Sequence, residues 1–280
     1  MLNDFSVPPR FQSLRTHAAE GTTVHSQLEH TALESLSAGE VVIRNRYAGV
    51  NYKDCLSILG RAKIVESYPR VCGIELVGEV VDSSNPAFAH GQSVLVHGFG
   101  TGIATDGGFS EYARVPAAHV MLRPDGLSDY ETAVLGVPGF TTALALDRFE
   151  QAGLTPADGP VAVTGASGAV GMLAISILSN AGYRVVAVTR KAEQAAMLIQ
   201  LGADEVLDGA ELAGAKRPLE KARFAAAIDN VGGATLSSLL RSTQQGGCVA
   251  SVGNAGGNTF DGSVLPFIMR GISLLGIVAN

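Results

Sequence analysis

The stretch Val161–Gly171, VAVTGASGAVG, joins a short apolar run to three glycines spaced three apart, Gly165, Gly168 and Gly171. The run is continuous and β-branched, as a strand buried on both faces requires. The glycines mark a tight turn, and Val170–Asn180 beyond them reads as a helix that is apolar on most sides. Strand, glycine turn and helix in this order aim unpaired backbone N–H groups and the positive end of a helix dipole at one point, which suits a pyrophosphate. Ser167 stands where a hydroxyl meets an oxyanion. A close-packed turn without a ligand is the alternative, but the alternation that follows provides the setting a nucleotide needs.

That alternation fills the second half of the chain. Val185–Thr189, Glu205–Leu207, Ala225–Asp229, Gly247–Val252 and Ile272–Ile277 read as further strands, giving six with Val161–Thr164. Helices are expected at Ala192–Leu201 and Leu236–Thr243, and Gly182 and Gly202 close two helices as left-handed caps. Before them, Tyr130–Leu135 and Thr141–Ala152 read as two helices separated by Gly136–Phe140. Continuous apolar strands between helices predict an α/β fold with a doubly wound parallel sheet over residues 129–280. Residues 1–128 instead carry short, often alternating runs at Gln12–Arg15, Glu40–Tyr47, Gly73–Val81, Ser93–His97 and Phe109–Val115, with one short helix at Tyr52–Leu59. They predict a β-rich domain with partly open barrel character.

Composition agrees with a buried globular protein: 46% hydrophobic and 16% charged residues in 280. A net charge of −6 argues against a nucleic-acid partner, although the pairs Arg44/Arg46 and Lys216/Arg217 offer local cations. Cys55, Cys72 and Cys248 form no C-x-x-C pattern, and the N-terminus has no apolar leader, so reduced thiols and a cytoplasmic location are expected. Residues 159–183 carry no charge over a length that could span a bilayer, but four internal glycines, Pro160 and the strand-then-helix pattern argue for a buried α/β segment instead. The chain stops at Asn280 straight after an apolar strand, and a further C-terminal segment is expected to be missing.

Three places carry chemistry. The second strand of the sheet ends in Thr189-Arg190-Lys191 and lacks the Asp or Glu that accepts from both ribose hydroxyls of NAD. A hydroxyl and two cations instead hold a 2′-phosphate through charge-assisted bonds, which selects NADPH. The loop in Gly246–Gly257 leaves the carboxyl end of a strand, and Asn254 within it is placed to meet the nicotinamide ribose or carboxamide, a plain turn being the alternative. Gly49-Val50-Asn51-Tyr52-Lys53-Asp54 concentrates an amide, a phenol, an ammonium and a carboxylate, with Tyr52 or Lys53 as proton donor and a helix cap as the structural alternative. Glu75, among apolar neighbours, is expected to be paired or to face a pocket. No histidine has metal-ligand spacing to a cysteine or another histidine, and no metal is expected.

The segments GVNYKD (49–54), GGFSEYARV (107–115), VTGASGAVG (163–171), RPLEK (217–221), GGCVASVGNAGG (246–257) and VLPFIMRGISLLGI (264–277) resemble the medium-chain dehydrogenase/reductase superfamily, and within it the zinc-free quinone oxidoreductase-like, acryloyl-CoA reductase branch. The resemblance implies a GroES-like catalytic domain ahead of a Rossmann domain, and a terminal segment returning to the first. It implies NADPH-dependent reduction of an activated C=C bond in a small acyl-CoA by a homodimer, with the last sheet strand, Ile272–Ile277, either the dimer contact or internal to the sheet. It also implies cofactor contacts from Tyr52, Thr141, Gly165, Ser167, Gly168, Ala169, Val170, Gly171, Thr189, Arg190, Lys191 and Asn254, with Asn51, Tyr52, Lys53, Asp54 and Glu75 as the catalytic set. Zinc enzymes of the superfamily carry Cys and His where this chain has Asn51 and Ile74, neither of which ligates Zn²⁺ in their place. The branch usually shows Pro-Gly-Ile-Asp where this chain has Cys72-Gly73-Ile74-Glu75. A quinone reductase and a non-catalytic NADPH-binding sensor or structural protein are the other functions this pattern allows.

Overall fold

A computed structural model describes residues 7–18, 23–214 and 217–279; Lys216 and Asn280 lie outside the described residues. Two compact units divide between Val137 and Pro138, rather than at 128/129.

The first unit is antiparallel β structure. Strands β1 (Phe11–Ala18), β2 (Val24–Thr31) and β4 (Arg70–Val71) form one sheet in the order β2-β1-β4. Strands β3 (Val41–Tyr47), β5 (Glu75–Ser83), β6 (Ser93–His97), β7 (Tyr112–Val115) and β8 (Met121–Leu122) form the other, in the order β7-β3-β5-β6-β8. Val41, Ile43, Leu76, Val80, Val94, Val96 and Val115 make its core. Helix α1 (Tyr52–Ile58) leaves the end of β3 and carries the expected polar cluster. Strands β2, β4 and β8 were not legible in the sequence. β2, VHSQLEHT, is polar because it pairs only with β1 and lies largely open to solvent.

Helix α2 (Asp129–Gln151) spans the two expected helices and the segment between them. The break is Gly136 alone, at φ 46° and ψ −157°; Pro138 falls in the first turn beyond it, where a proline leaves no amide unpaired. The expected gap of five residues is therefore a kink at one.

The second unit is a parallel sheet of six strands, β9 (Val161–Thr164), β10 (Val185–Thr189), β11 (Glu205–Asp208), β12 (Phe224–Asp229), β13 (Thr243–Ser251) and β14 (Ser273–Gly276), in the order β11-β10-β9-β12-β13-β14. This is the doubly wound order of a Rossmann fold. Alternate residues of one strand enter opposite cores. Val161, Val163, Val185, Ala187 and Ile228 face one, and Ala162, Val186, Val188, Ala227 and Val249 face the other. That explains why the strands read as unbroken apolar runs. Helices α3 (Ala169–Asn180), α4 (Ala195–Gln200) and α6 (Gly233–Ser242) lie near the expected positions. The short helices α5 (Gly209–Ala213) and α7 (Leu265–Arg270) are too brief to show a period and were missed. Among the described residues no helix is long and apolar enough to cross a membrane.

Candidate functional site

In the first unit the polar cluster closes on itself. The backbone N–H of Asn51 donates to Asp54 Oδ2 at 2.8 Å, and the N–H of Ile74 donates to Asp54 Oδ1 at 3.0 Å. Asp54 thus caps α1 and pins the chain before β5, at 1% exposure. Burial lifts its carboxyl above the usual range against the pull of these amides. The Asn51 amide donates to Glu75 Oε1 at 2.8 Å, and the Val137 N–H donates to Glu75 Oε2. Glu75 is 4% exposed, and burial pushes its carboxyl up as well.

Two glycines let the Glu75 carboxylate lie where it does. A Cβ at Gly49 would fall 2.0 Å from Oε1, and one at Gly136 would fall 2.5 Å from Oε2. His97, at the end of β6, holds Nε2 3.8 Å from Glu75 Oε2, and that nitrogen is buried without a hydrogen bond. Burial pulls the imidazole down to about 4. Gly49, Gly136, Val137 and His97 were not read from the sequence, since their roles come from contacts distant along the chain.

The remaining expected residues of this cluster point elsewhere. Tyr52 is 62% exposed. Lys53 is half-buried, and desolvation holds its ammonium below the usual range although Asp54 is near. Among the described residues no group of three or more His, Cys, Asp or Glu side chains is placed to hold a metal. Ile74 is a buried core residue and the Asn51 amide gives one of its two N–H groups to Glu75, and neither side chain offers a thiolate or an imidazole, so these residues do not fit Zn²⁺. A separate open groove of about 390 Å³, lined by Leu14, Leu28, Tyr47 and Phe109 among others, holds none of the expected site residues.

In the second unit the glycine turn has the expected form. Gly165 takes φ 58°, and Gly168 precedes α3 without any side chain capping the helix. A Cβ at Gly171 would fall 2.4 Å from the Gly165 carbonyl oxygen, so α3 sits against the turn only because this residue is glycine. Ala169 and Gly168 are exposed, and Ser167 and Val170 are partly so. The first amides of α3 therefore face outward without a capping acceptor, as a phosphate requires.

Ser167 Oγ lies 3.4 Å from Thr189 Oγ1, which brings the turn and the end of β10 together. Arg190 and Lys191 follow, both exposed. The carboxylate in register with Thr189 is Asp208, whose Oδ1 accepts from the Ala210 N–H at 2.8 Å and caps α5. Asn254 is exposed in a loop tied to the one after β12, since Gly253 N–H donates to the Asp229 carbonyl and Gly256 N–H to the Val231 carbonyl. Thr141 is buried in α2.

One further group in this unit was missed. Thr164 Oγ1 donates to the fully buried Asp229 at 2.6 Å, and the Asn230 amide donates to the Thr164 carbonyl at 2.8 Å. These bonds join β9 to β12 beneath the glycine turn. The only signal in the sequence was an aspartate closing the apolar run FAAAID.

Comparison with known proteins decides the family. The family described as alcohol dehydrogenase GroES-like domain matches residues 37–125, and the one described as zinc-binding dehydrogenase matches 169–280. "Putative quinone oxidoreductase YhfP" of Bacillus subtilis is 44% identical over 269 residues, covering 95% of this chain and 81% of that protein. Acrylyl-CoA reductase AcuI of Ruegeria pomeroyi is 40% identical, over 99% of this chain and 82% of that one. The chain belongs to the medium-chain dehydrogenase/reductase superfamily. Its place is the YhdH/AcuI-like branch, and it is an oxidoreductase of that family. The yhdH oxidoreductase of Salmonella enterica, solved in complex with NADP, superposes with a TM-score of 0.92 at 39% identity, over 96% of this chain and 82% of the other. The yhfP protein, solved with NAD bound, gives 0.92 at 43%, with the same coverage.

Proposed function

We propose that the chain binds NADPH and reduces the activated C=C bond of a small α,β-unsaturated acyl-CoA, with acryloyl-CoA the first substrate to try. One observation carries the cofactor assignment: β10 ends in a hydroxyl and two exposed cations, while the neighbouring carboxylate is spent on a helix cap. Gly165, Ser167, Gly168, Ala169, Val170 and Gly171 hold the pyrophosphate, Thr189, Arg190 and Lys191 the 2′-phosphate, and Asn254 the nicotinamide end, with Tyr52 and Thr141 as further contacts. The bound cofactor supplies a hydride. The complex of the S. enterica relative with NADP and the name of the R. pomeroyi relative support this reading.

Within the first unit, Glu75 fixes the rotamer of Asn51, and Asp54 fixes the start of α1. Both carboxylates have their oxygens committed to protein donors, so they act as positioning residues. Tyr52 and Lys53 are the side chains free to touch substrate, Lys53 with an ammonium made easier to deprotonate by burial. Charge that develops on the carbonyl oxygen needs a donor in place beforehand, and Asn51 and Tyr52 are the residues assigned to it.

A quinone is the second reading, favoured by the name of the B. subtilis relative. NADPH oxidation measured with acryloyl-CoA, with benzoquinones and naphthoquinones, and with NADH in place of NADPH separates the two. A kcat/KM for acryloyl-CoA at least tenfold above any quinone supports the proposal. Preference for quinones overturns the acyl-CoA assignment, and cofactor binding without turnover of either overturns the enzyme.

A further inference from the structure

The tip beyond β6 contains the one non-glycine residue among the described residues with positive φ. Gly98, Phe99 and Gly100 are consecutive at φ 70°, 53° and 76°. L-residues visit this region as isolated positions, and a bulky side chain there is strained. Glycine at 99 would form the same turn without that strain.

The loop is built to hold the strain. Gly98 N–H donates to the Ile74 carbonyl at 3.1 Å, anchoring the tip beside β5 and Glu75. The Gly100 carbonyl accepts from Ile103, Ala104 and Thr105, and Gly102 N–H returns to the Thr105 carbonyl at 2.8 Å. The ring that this rigid knot carries is not used to fill a core. Phe99 is 53% exposed. One face stacks on the half-buried His119 ring, with centroids 4.9 Å apart and planes 9° from parallel. Stacking fixes the orientation of the ring while about half of the residue stays exposed.

We propose that Phe99, backed by His119, is a stacking shelf for a flat conjugated ring of the substrate. Strained backbone held in place by its surroundings marks ligand contacts, and an exposed, oriented aromatic face binds planar π systems. His97, two residues before Phe99, lies 3.8 Å from Glu75, so the segment that carries the shelf also reaches the Asn51 cluster. The assignment of the ring as substrate rests on the reductase reading above. Two rings share this chemistry, a quinone nucleus and the adenine of an acyl-CoA.

The test uses Phe99→Gly and Phe99→Leu beside the full chain. Binding of 1,4-naphthoquinone, of coenzyme A and of the adenine-free pantetheine is measured by calorimetry, independently of turnover. KM and kcat follow for each compound that reacts. The expected result is a thermal midpoint for Phe99→Gly no lower than that of the parent, because the strain is gone. Affinity for one ring should fall about tenfold in both variants, since Leu keeps bulk but not the π face. Loss confined to naphthoquinone assigns the quinone nucleus; loss for coenzyme A but not pantetheine assigns adenine. The shelf is overturned if both variants bind both rings as the parent does, if the parent binds neither, or if Phe99→Gly lowers the midpoint while leaving ring affinity unchanged. Ring binding that depends on Phe99 without turnover would keep the shelf and remove the reductase reading.

Discussion

Arg190 stands one residue past β10, exposed, with no carboxylate placed to pair with it among the described ion pairs. A guanidinium in that position gains little from solvent and much from a phosphate monoester, through short charge-assisted bonds. NADPH and NADH differ only by that group, so the contribution of Arg190 is read as a difference between two cofactors. Arg190→Ala is expected to raise KM for NADPH by roughly tenfold or more, the loss of a charge-assisted contact, while KM for NADH changes little. Steady-state kinetics with both cofactors checks it. Equal rises would remove Arg190 from the 2′-phosphate site. The comparison has weight because a relative of 43% identity was solved with NAD and one of 39% with NADP.

At the scale of elements, α3 packs closely on the glycine turn that follows β9. Three glycines punctuate the turn, and the structure separates their roles. A Cβ at Gly171 would meet backbone at 2.4 Å and 2.6 Å, whereas one at Gly168 would meet only the Gly165 oxygen, at 3.2 Å. Backbone cannot rotate out of the way as a flexible side chain can, so α3 must slide off the turn when Gly171 becomes alanine. Gly171→Ala is expected to cost about 1–3 kcal/mol, the usual range for overpacking, and Gly168→Ala distinctly less. Denaturant unfolding of the two variants side by side measures the difference, and equal costs would show that the helix is free to move. The turn, the strands and the long helices were legible because each rests on a local period or a glycine signal. α5, α7 and β2 were not, being short or polar and placed by neighbours far along the chain. The site divides in the same way. Asn51 to Asp54 and Thr189 to Lys191 stood together in sequence. The glycines that admit Glu75, and the Thr164–Asp229 bond under the turn, depend on contacts 26 to 65 residues apart.

For the whole molecule, stability against pH follows from a few buried groups that pull in opposite directions. Burial raises the carboxyls of Asp54, Glu75 and Asp229, so the native state holds those protons more tightly than the unfolded chain. Their contribution is complete below the ordinary carboxylate range and is lost as pH rises through the raised values. His97 works the other way. Its pKa falls from 6.5 to about 4, so the native state refuses a proton that the unfolded chain accepts. That contribution is complete above 6.5 and is lost as pH falls toward 4. Between about pH 7 and pH 5 the imidazole changes most, because it is the group whose unfolded value lies inside the window. Full loss at low pH amounts to about 3 kcal/mol, and about 2 kcal/mol is reached by pH 5. His97→Gln removes the titration while keeping a polar group of similar size beside Glu75. The parent is expected to lose thermal midpoint more steeply than this variant as pH falls from 7 to 5, the curves drawing together on the acid side. Circular dichroism melts at half-unit steps measure both slopes. Parallel curves would mean that His97 takes up its proton alike in the native and the unfolded chain, and a parent curve shallower than the variant's would mean that it is already protonated in the native state, with Glu75 as its ionised partner at 3.8 Å.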